Sequence, residues 1–263
     1  MQENNIKIRK IKGWFDEEDL QLFDFVMTKV NSDIAFGNIA EVGIYYGKSL
    51  AKLATYARTN EKIVGIDAYI GTREQYNEIF KNIQSVSKCQ VNDINIVRQD
   101  SYKTDVASLG SSYYHNCKVV HIDGNHSGIN VYHDLELADH LMNDFAVLIL
   151  DDWNNKFYPH IQEAFYTYVA KHPGSFEKFL ISNRKCYLCR PNRLSSWLWH
   201  TETQLPEFLK ATPEGKHLLS LNTIIKTENY LNNSTIVMFD HNDPINTVDH
   251  AYVMLHSKYD TIT

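Results

Sequence analysis

The chain has 263 residues, of which 43% are hydrophobic and 22% are charged. This is the composition of an ordinary globular protein, so it excludes a collagen-like, coiled-coil or largely disordered chain and allows a sizeable core. Lysine and arginine together number 26 against 32 acidic residues, which gives a net charge of −6 at pH 7. Because nucleic-acid binding needs a basic surface, we expect no nucleic-acid partner.

The N-terminal segment and the apolar runs favour a cytoplasmic protein with no membrane partner. Residues 1–13 carry several charges and lack the apolar stretch of a signal peptide. The longest apolar run, Phe145 to Leu150, is far shorter than a membrane-spanning helix. Cys186 and Cys189 form a CxxC, but residues three apart on a strand point to opposite faces, so we expect buried thiols and no zinc site.

Helices and strands are predicted to alternate along most of the chain. The predicted helices are Asp16–Val30, Gly47–Arg58, Arg73–Val86, Tyr102–Leu109, Val131–Met142 and Tyr158–Lys171. The predicted strands are Asn38–Ile44, Lys62–Asp67, Ile94–Arg98, Lys118–Asp123 and Phe145–Leu150. Asp16 is the expected N-cap of the first helix. Strands that are apolar on both faces and alternate with helices are typical of a buried parallel sheet, so the predicted fold is α/β, Rossmann-like and doubly wound.

The pattern changes after the last of these helices. Phe176–Ile181 and Lys185–Cys189 are predicted strands joined by only three residues, which allows a hairpin but no crossover. We therefore expect a seven-stranded, mostly parallel sheet with an antiparallel last strand, in a domain of residues 1–190. Residues 191–263 are expected to form an appendage that acts as a lid or an oligomer contact. Its predicted helices are Leu194–Trp199 and Leu205–Leu209, and its predicted strands, Leu218–Ile225 and Thr235–Phe239, flank Asn232-Asn233.

The segment EVGIYYGKS, Glu41 to Ser49, runs from a strand through two glycines into a helix. Gly43 and Gly47 allow a tight turn and a close backbone approach to a ligand, and the helix N-terminus offers free N–H groups. Asp67 ends the next strand, where an acid is placed to hold ribose hydroxyls. Together they predict a site for a nucleoside-containing cofactor. The alternative is a glycine turn that only joins strand to helix.

The same segment is close to a phosphate-binding P-loop. That loop needs four residues between its first glycine and its GK[ST] group, whereas only three lie between Gly43 and Gly47. Loop length sets how many amides converge on a phosphate. An NTPase is therefore the less favoured alternative.

Acidic residues follow the fourth and fifth predicted strands, in HIDGNH (121–126) and LDDW (150–153). Ligands of doubly wound sheets bind at the carboxyl ends of the strands, so Asp123, Asp151 and Asp152 are expected to meet there. Converging carboxylates repel unless a cation lies among them, and oxygen ligands favour Mg²⁺ or a similar ion. The alternative is that these acids cap the following helices. His126 could accept a proton near a metal-bound hydroxyl, or it could be a solvated turn histidine.

These residues resemble the class I S-adenosylmethionine-dependent methyltransferases, and more narrowly the metal-dependent macrocin and antibiotic-sugar type O-methyltransferases. EVGIYYGKS is similar to that group's cofactor loop, and HIDGNHS followed by DLELA and LILDDW is the most specific stretch. The resemblance covers about Phe36 to Arg190. It implies the following cofactor-binding residues: Glu41, Gly43, Gly47, Ser49, Asp67, Asp100 and Ser101. It also implies a magnesium ion on Asp123, Asp151 and Asp152, with His126 as the base; His126 and Asp123 are the predicted catalytic residues.

The sequence thus predicts Mg²⁺-dependent transfer of a methyl group from S-adenosylmethionine to a hydroxyl of a small molecule. The resemblance alone favours a sugar or a glycosylated natural product as substrate. A P-loop-like NTPase and a catalytically inactive nucleoside-binding module are the alternatives. The tail after Pro191 has no counterpart in that resemblance.

Overall fold

The computed structural model describes residues 2–228 and 234–240. Nine helices occur in this part of the chain: α1 (Gln2–Arg9), α2 (Glu17–Asp33), α3 (Lys48–Ala54), α4 (Arg73–Val86), α5 (Val106–Leu109), α6 (Gly128–Leu141), α7 (His160–Lys171), α8 (Leu194–Lys210) and α9 (Pro213–Leu221). The nine strands described are β1 (Asn38–Val42), β2 (Ile63–Ile66), β3 (Ile94–Val97), β4 (Cys117–Ile122), β5 (Met142–Leu150), β6 (Glu177–Ile181), β7 (Cys186–Cys189), β8 (Asn222–Glu228) and β9 (Ser234–Asp240).

All nine strands form a single sheet in the order β3-β2-β1-β4-β5-β7-β6-β9-β8. The five strands β3, β2, β1, β4 and β5 are parallel to one another, and β7 is antiparallel to both β5 and β6. Strand β9 then pairs parallel to β6, and β8 pairs antiparallel to β9. The predicted α/β doubly wound sheet with an antiparallel hairpin strand is therefore confirmed.

The predicted count of seven strands is too small, because the sheet does not end at the β6–β7 hairpin. Residues Ile236, Val237 and Met238 of β9 are fully buried, and their strand covers the edge that β6 would otherwise expose. Part of the predicted appendage thus extends the sheet by two strands. Residues 229–233, which include Asn232-Asn233, and residues 241–263 lie outside the described residues.

Helices cover both faces of the sheet, as a doubly wound fold requires. One apolar core packs α2, α3, α4 and α8 against the sheet, and the other packs α6 and α7. Cys189 belongs to the first core and Cys186 to the second, so the two thiols point to opposite faces, as predicted. No helix in the described part of the chain is both long enough and apolar enough to span a bilayer.

The local predictions succeed where periodicity and capping agree. Asp16 caps α2 and accepts a hydrogen bond from the backbone N–H of Asp19, while the Asp19 side chain accepts one from the Asp16 N–H. The predicted helix Tyr102–Leu109 is interrupted, because Asp105 caps a new helix, α5, within it.

The C-terminal predictions need two corrections. The two predicted helices 194–199 and 205–209 form one helix, α8, which continues through Pro206; Trp197, Thr201, Leu205 and Leu209 recur every four residues and bury one face of it. The predicted strand Leu218–Ile225 is helical up to Leu221, because Thr212 and Pro213 start α9 as its N-cap and first residue. Strand β8 begins only at Asn222.

Candidate active site

The strand registers place the residues that follow four parallel strands, and the residue that precedes the antiparallel strand β7, in one row. In the parallel pairs, Val42 lies opposite Ile66 and Ile122, and Ile122 lies opposite Leu150. Leu150 also lies opposite Cys186 in the antiparallel pair. The neighbouring row therefore runs across the sheet edge from Asp67 through Gly43, Asp123 and Asp151 to Lys185. This is the edge at which doubly wound sheets bind their ligands.

Gly43 is the point of closest approach in this row. Its φ is +82°, and a Cβ atom there would lie 1.9 Å from the carbonyl oxygen of Asp123. Only glycine fits this position without moving the backbone of Asp123. Gly47 also has positive φ, +75°, and precedes the first residue of α3. The two glycines thus have the backbone role that the sequence predicts, although Gly47 does not itself line the cavity described below.

Asp67 fixes the loop between β1 and α3. One oxygen of its carboxylate accepts hydrogen bonds from the backbone N–H groups of Ile44 (2.9 Å) and Tyr45 (2.7 Å), and the other accepts one from Tyr69 (2.6 Å). The acid predicted to hold a ribose therefore also holds the glycine loop. Its oxygens lie beside the loop at the cavity wall, where a further hydroxyl donor can reach them.

Glu41 lies beneath the loop instead of in the cavity wall. Its carboxylate is fully buried and accepts hydrogen bonds from the Ser49 hydroxyl and, at 3.0 Å, from Nδ1 of His121. The structure places Glu41 as a support for Ser49, and its role as a cofactor-binding residue stays a prediction. Because Ser49 donates its hydrogen to Glu41, its oxygen lone pairs are left to accept a donor from the cavity.

Asp100 and Ser101 follow β3 and line the same cavity. Asp100 caps a single turn of 3₁₀-helix and accepts a hydrogen bond from the N–H of Tyr102 at 3.1 Å. Asp134 of α6 lies behind Ser101, fully buried. Burial raises the pKa of Asp134 to about 7.

Asp123 and Asp151 lie close together, as predicted. The positive charge beside them is the ammonium group of a lysine side chain, Lys185. The Nζ atom of Lys185 lies 2.6 Å from Oδ2 of Asp151 and 3.6 Å from Oδ1 of Asp19. Burial and the charge of Asp151 raise the pKa of Asp123 well above its usual value. Burial would also raise the pKa of Asp151, but the Lys185 ammonium outweighs it and lowers that pKa to about 2. Asp123 therefore keeps the proton of the pair.

Asp152 points away from that pair and towards His126. Its φ is +53°, and its Oδ2 atom lies 3.3 Å from Nε2 of His126. Its other oxygen accepts a hydrogen bond from the Asn155 side chain at 3.1 Å. The ring of Tyr158 stacks on the His126 imidazole with 4.2 Å between the ring centres. His126 is thus held by a carboxylate at one ring nitrogen and by an aromatic ring over its face.

The predicted magnesium site needs three available aspartates, and the structure does not bring them to one point. Both oxygens of Asp151 have protein donors, Lys185 and the N–H of Asp152, and both oxygens of Asp152 also have protein partners. Among the described residues, the metal-capable group with ligand atoms within 4.8 Å consists of His121, Asp123 and Asp151, without Asp152. Two carboxylates, an imidazole and an adjacent ammonium do not fit the oxygen-rich octahedral shell of magnesium.

A cavity of about 1500 Å³ lies along the sheet edge formed by the carboxyl ends of the parallel strands. Its wall includes nine of the predicted site residues: Gly43, Ser49, Asp67, Asp100, Ser101, Asp123, His126, Asp151 and Asp152. Lys185 and the aromatic side chains of Trp14, Tyr45, Tyr69, Phe157 and Tyr158 also line it, and the sequence analysis did not identify them. Lys185 could have been found from the strand pairing. It directly precedes β7, and it lies opposite Asp151 when β7 pairs with β5. A pocket for one small ligand has a volume of about 300–1,000 Å³, so this cavity has room for two.

Residues 40–153 match the model of a family described as a methyltransferase domain. This segment contains the glycine loop, Asp67 and both acidic motifs. A search of the curated proteins gives no match.

Several solved structures share the fold at low sequence identity. CalS11, described as a TDP-rhamnose 3′-O-methyltransferase of calicheamicin biosynthesis, is 16% identical with a TM-score of 0.54, over 65% of this chain and 78% of its own. The O-methyltransferase NovP is 15% identical with a TM-score of 0.51, over 65% of this chain and 79% of its own. A protein from Corynebacterium glutamicum is 12% identical with a TM-score of 0.52, over 68% of this chain and 83% of its own.

The family match and the shared fold agree with the site geometry. The glycine loop, the acid after β2 and the cavity at the strand ends all lie within or beside the matched segment. The match supports S-adenosylmethionine as the cofactor. The resemblance predicted from the sequence is confirmed to this extent: residues 40–153 match a methyltransferase-domain family, and the chain shares its fold with solved O-methyltransferases.

Proposed function

We propose that this protein transfers a methyl group from S-adenosylmethionine to a hydroxyl oxygen of a small molecule, namely a sugar or a glycosylated natural product. The observation that carries the proposal is the His126–Asp152 pair, 3.3 Å apart, in the same cavity as the glycine loop. A hydroxyl is a weak nucleophile until a base takes its proton. A held histidine beside a methyl-donor site meets that need.

The residues of the cavity fit S-adenosylmethionine at the loop side. Gly43 allows the loop to pack directly against the Asp123 backbone, and Asp67 and Ser49 present acceptors for hydroxyl and ammonium donors. When bound, the cofactor supplies an electrophilic methyl group on its sulfonium. The remaining volume of the cavity leaves room for an acceptor molecule next to it.

His126 and Asp152 divide the work of deprotonation between them. The Oδ2 atom of Asp152 lies 3.3 Å from Nε2, so an imidazole with its hydrogen on Nε2 would face the carboxylate and present Nδ1 to the proton of a substrate hydroxyl. The stacked ring of Tyr158 restricts rotation of the imidazole. Holding the base and the substrate oxygen in place removes much of the entropic cost of the reaction.

The rim of the cavity supports a sugar-containing substrate. Trp14, Tyr69 and Phe157 line the cavity and are more than three-quarters exposed, and Trp14 stacks on Tyr45 with 5.5 Å between the ring centres. Exposed rings of this kind pack against the apolar C–H faces of sugars and against flat ring systems. CalS11, which shares the fold, is described as acting on a rhamnose hydroxyl.

The proposal includes no step through a magnesium ion. The sequence predicts one, but the three aspartates do not converge, and the dependence of the reaction on a metal stays a prediction to be tested. The same holds for the absence of nucleic-acid and membrane partners, for a homo-oligomer and for the cytoplasmic location. The inactive nucleoside-binding module is the second candidate, but it gives no reason for the held His126.

The test is a methyl-transfer assay with methyl-labelled S-adenosylmethionine and a panel of free sugars, nucleotide sugars and glycosides. We expect label in an O-methylated product, identified by mass spectrometry and NMR, and label at a strongly reduced rate with the His126→Ala variant. Label on nitrogen, or cofactor binding with no transfer to any member of the panel, would contradict the proposal.

A further inference from the structure

Lys185 is fixed at the sheet edge by the strand pairing. Because Leu150 lies opposite Cys186 in the antiparallel pair, Lys185 must lie opposite Asp151. Its side chain is 1% exposed, and its Nζ atom contacts Asp151 at 2.6 Å and Asp19 at 3.6 Å. The rings of Phe15 and Phe23 lie 5.8 and 6.0 Å from the same atom. The ammonium is therefore enclosed between two carboxylates and two aromatic faces.

The position of this ammonium is the one that the sequence assigns to a metal ion. Carboxylates that converge at a strand end repel one another unless a positive charge lies among them. Asp151 is the central member of the predicted set, and its Oδ2 atom contacts Lys185 while its Oδ1 atom accepts the N–H of Asp152 at 2.7 Å. A divalent cation that entered this site would have to displace the Lys185 ammonium or bind next to it. Two neighbouring positive charges repel each other strongly in a buried site.

Asp19 shows that the arrangement extends beyond the methyltransferase segment. It lies in the first turn of α2, outside the segment that matches the family model, and it is 1% exposed. The Oδ1 atom of its carboxylate lies 3.6 Å from Nζ of Lys185. A second buried acid facing the lysine indicates that the chain balances the charge of Lys185 itself.

We propose that the Lys185 ammonium takes the place of a divalent cation beside Asp123 and Asp151, so that the protein transfers methyl groups without a bound metal ion. Methyl transfer without a metal ion rests on the proposed function. The exclusion of a divalent cation by Lys185 does not depend on it. Asp123 forms no ion pair of its own among the described contacts, and Asp151 and Lys185 are among the charged groups that act on it. Substrate hydroxyl activation then depends on His126 and Asp152.

The test measures Mn²⁺ binding by electron paramagnetic resonance, without cofactor or substrate. The proteins compared are the wild type, Lys185→Met and the control Lys156→Met. Lys156 also lines the cavity, but its ammonium lies over the ring of Phe157. We expect millimolar or weaker binding by the wild type and the control, and binding at least about tenfold tighter by Lys185→Met, since a buried charge is removed from the ion's position. Mn²⁺ should also raise the Tm of Lys185→Met more than that of the wild type.

Two results would overturn the inference. One is micromolar Mn²⁺ binding by the wild type, which would assign the ion to His121, Asp123 and Asp151. The other is a folded Lys185→Met variant that binds Mn²⁺ no more tightly than the wild type. If Lys185→Met does not fold, the wild-type affinity, together with activity after chelation by EDTA, decides the question. A wild type that binds Mn²⁺ weakly but transfers no methyl group would overturn the proposed function and leave this inference standing.

Discussion

The Nε2 atom of His126 lies 3.3 Å from the Oδ2 atom of Asp152, in a chain region where Asp152 itself has a left-handed backbone with φ of +53°. A non-glycine residue in this conformation carries backbone strain of about 1–3 kcal/mol, which the surrounding structure must offset. The left-handed turn directs the Asp152 carboxylate away from Asp151 and towards the histidine. The two adjacent aspartates thus have different partners, a lysine and a histidine.

Replacement of His126 tests its role as the base. His126→Ala should lower the rate of methyl transfer by roughly 10²–10⁴-fold, the usual contribution of a general base, and leave cofactor affinity unchanged. Asp152→Asn should lower the rate by about tenfold, because a neutral acceptor orients the imidazole less strongly than a carboxylate. The rates are measured with a sugar that the wild type accepts. His140→Ala, at the exposed end of α6, is the control, and its rate of methyl transfer should equal that of the wild type. An unchanged rate for His126→Ala would show that His126 is not the base.

Replacement of Asp67 tests the cofactor end of the cavity. Asp67→Ala removes the acceptor of three backbone N–H groups, those of Ile44, Tyr45 and Tyr69, and leaves the glycine loop without its support. Hydrogen bonds to a charged acceptor contribute about 1.5–3 kcal/mol, so the affinity for S-adenosylhomocysteine should fall at least about tenfold in calorimetry. Asp105→Asn, at the cap of α5, is the control and should bind as the wild type does. Wild-type affinity in Asp67→Ala would refute this placement of the cofactor.

Two glycine substitutions separate backbone strain from crowding at the site. Gly43 and Gly174 have similar φ values, +82° and +88°, but a Cβ atom would lie 1.9 Å from Asp123 in the first and would meet nothing within 4 Å in the second. Both alanine variants should lose about 1–3 kcal/mol of stability from strain. Only Gly43→Ala should also lose S-adenosylhomocysteine binding, because it displaces the Asp123 backbone. Thermal unfolding and calorimetry of both variants check this, and equal cofactor binding in both would be the contrary result.

The pH dependence of stability tests the environment of Asp134. Burial raises its folded-state pKa from 3.8 to about 7, so the folded protein holds this proton more tightly than the unfolded chain. That contribution to stability is complete below pH 4 and is lost as the pH rises to about 7. Asp134→Asn should therefore be more stable than the wild type at pH 8, by about 4 kcal/mol at most, and should differ little at pH 4. Denaturant unfolding at both pH values measures this; an equal difference at both would show that Asp134 does not titrate in this range.

The sequence predicts the fold best where local signals and buried alternation agree. The helix Arg73–Val86 matches α4 at both ends, since Thr72 caps its start and its apolar positions follow one face. Helix α1 escaped prediction because it is largely polar and packs mainly through Ile8. Thr212 and Pro213 are a typical N-cap and first residue of a helix, and they could have predicted the start of α9. The apolar residues that follow them favoured the wrong prediction of a strand.

The site was predictable only as far as parallel strand ends could be aligned. Gly43, Asp67, Asp123 and Asp151 each follow a parallel strand, so their common edge follows from the fold. The position of Lys185 depends on where the hairpin strand β7 inserts and in which register, which no local pattern specifies. The direction of Asp152 depends on a positive φ that the sequence also does not reveal.

Calorimetric titration of the wild-type protein with S-adenosylhomocysteine and with ATP tests most directly the claim that this cavity is a methyltransferase cofactor site. The account predicts binding of S-adenosylhomocysteine with a Kd on the order of micromolar, about −8 kcal/mol, and no heat of binding with ATP. No binding of ATP is expected because Gly43 and Gly47 are separated by one residue fewer than a phosphate-binding loop requires. Binding of ATP without binding of S-adenosylhomocysteine would contradict the account and favour the nucleotide-binding alternative.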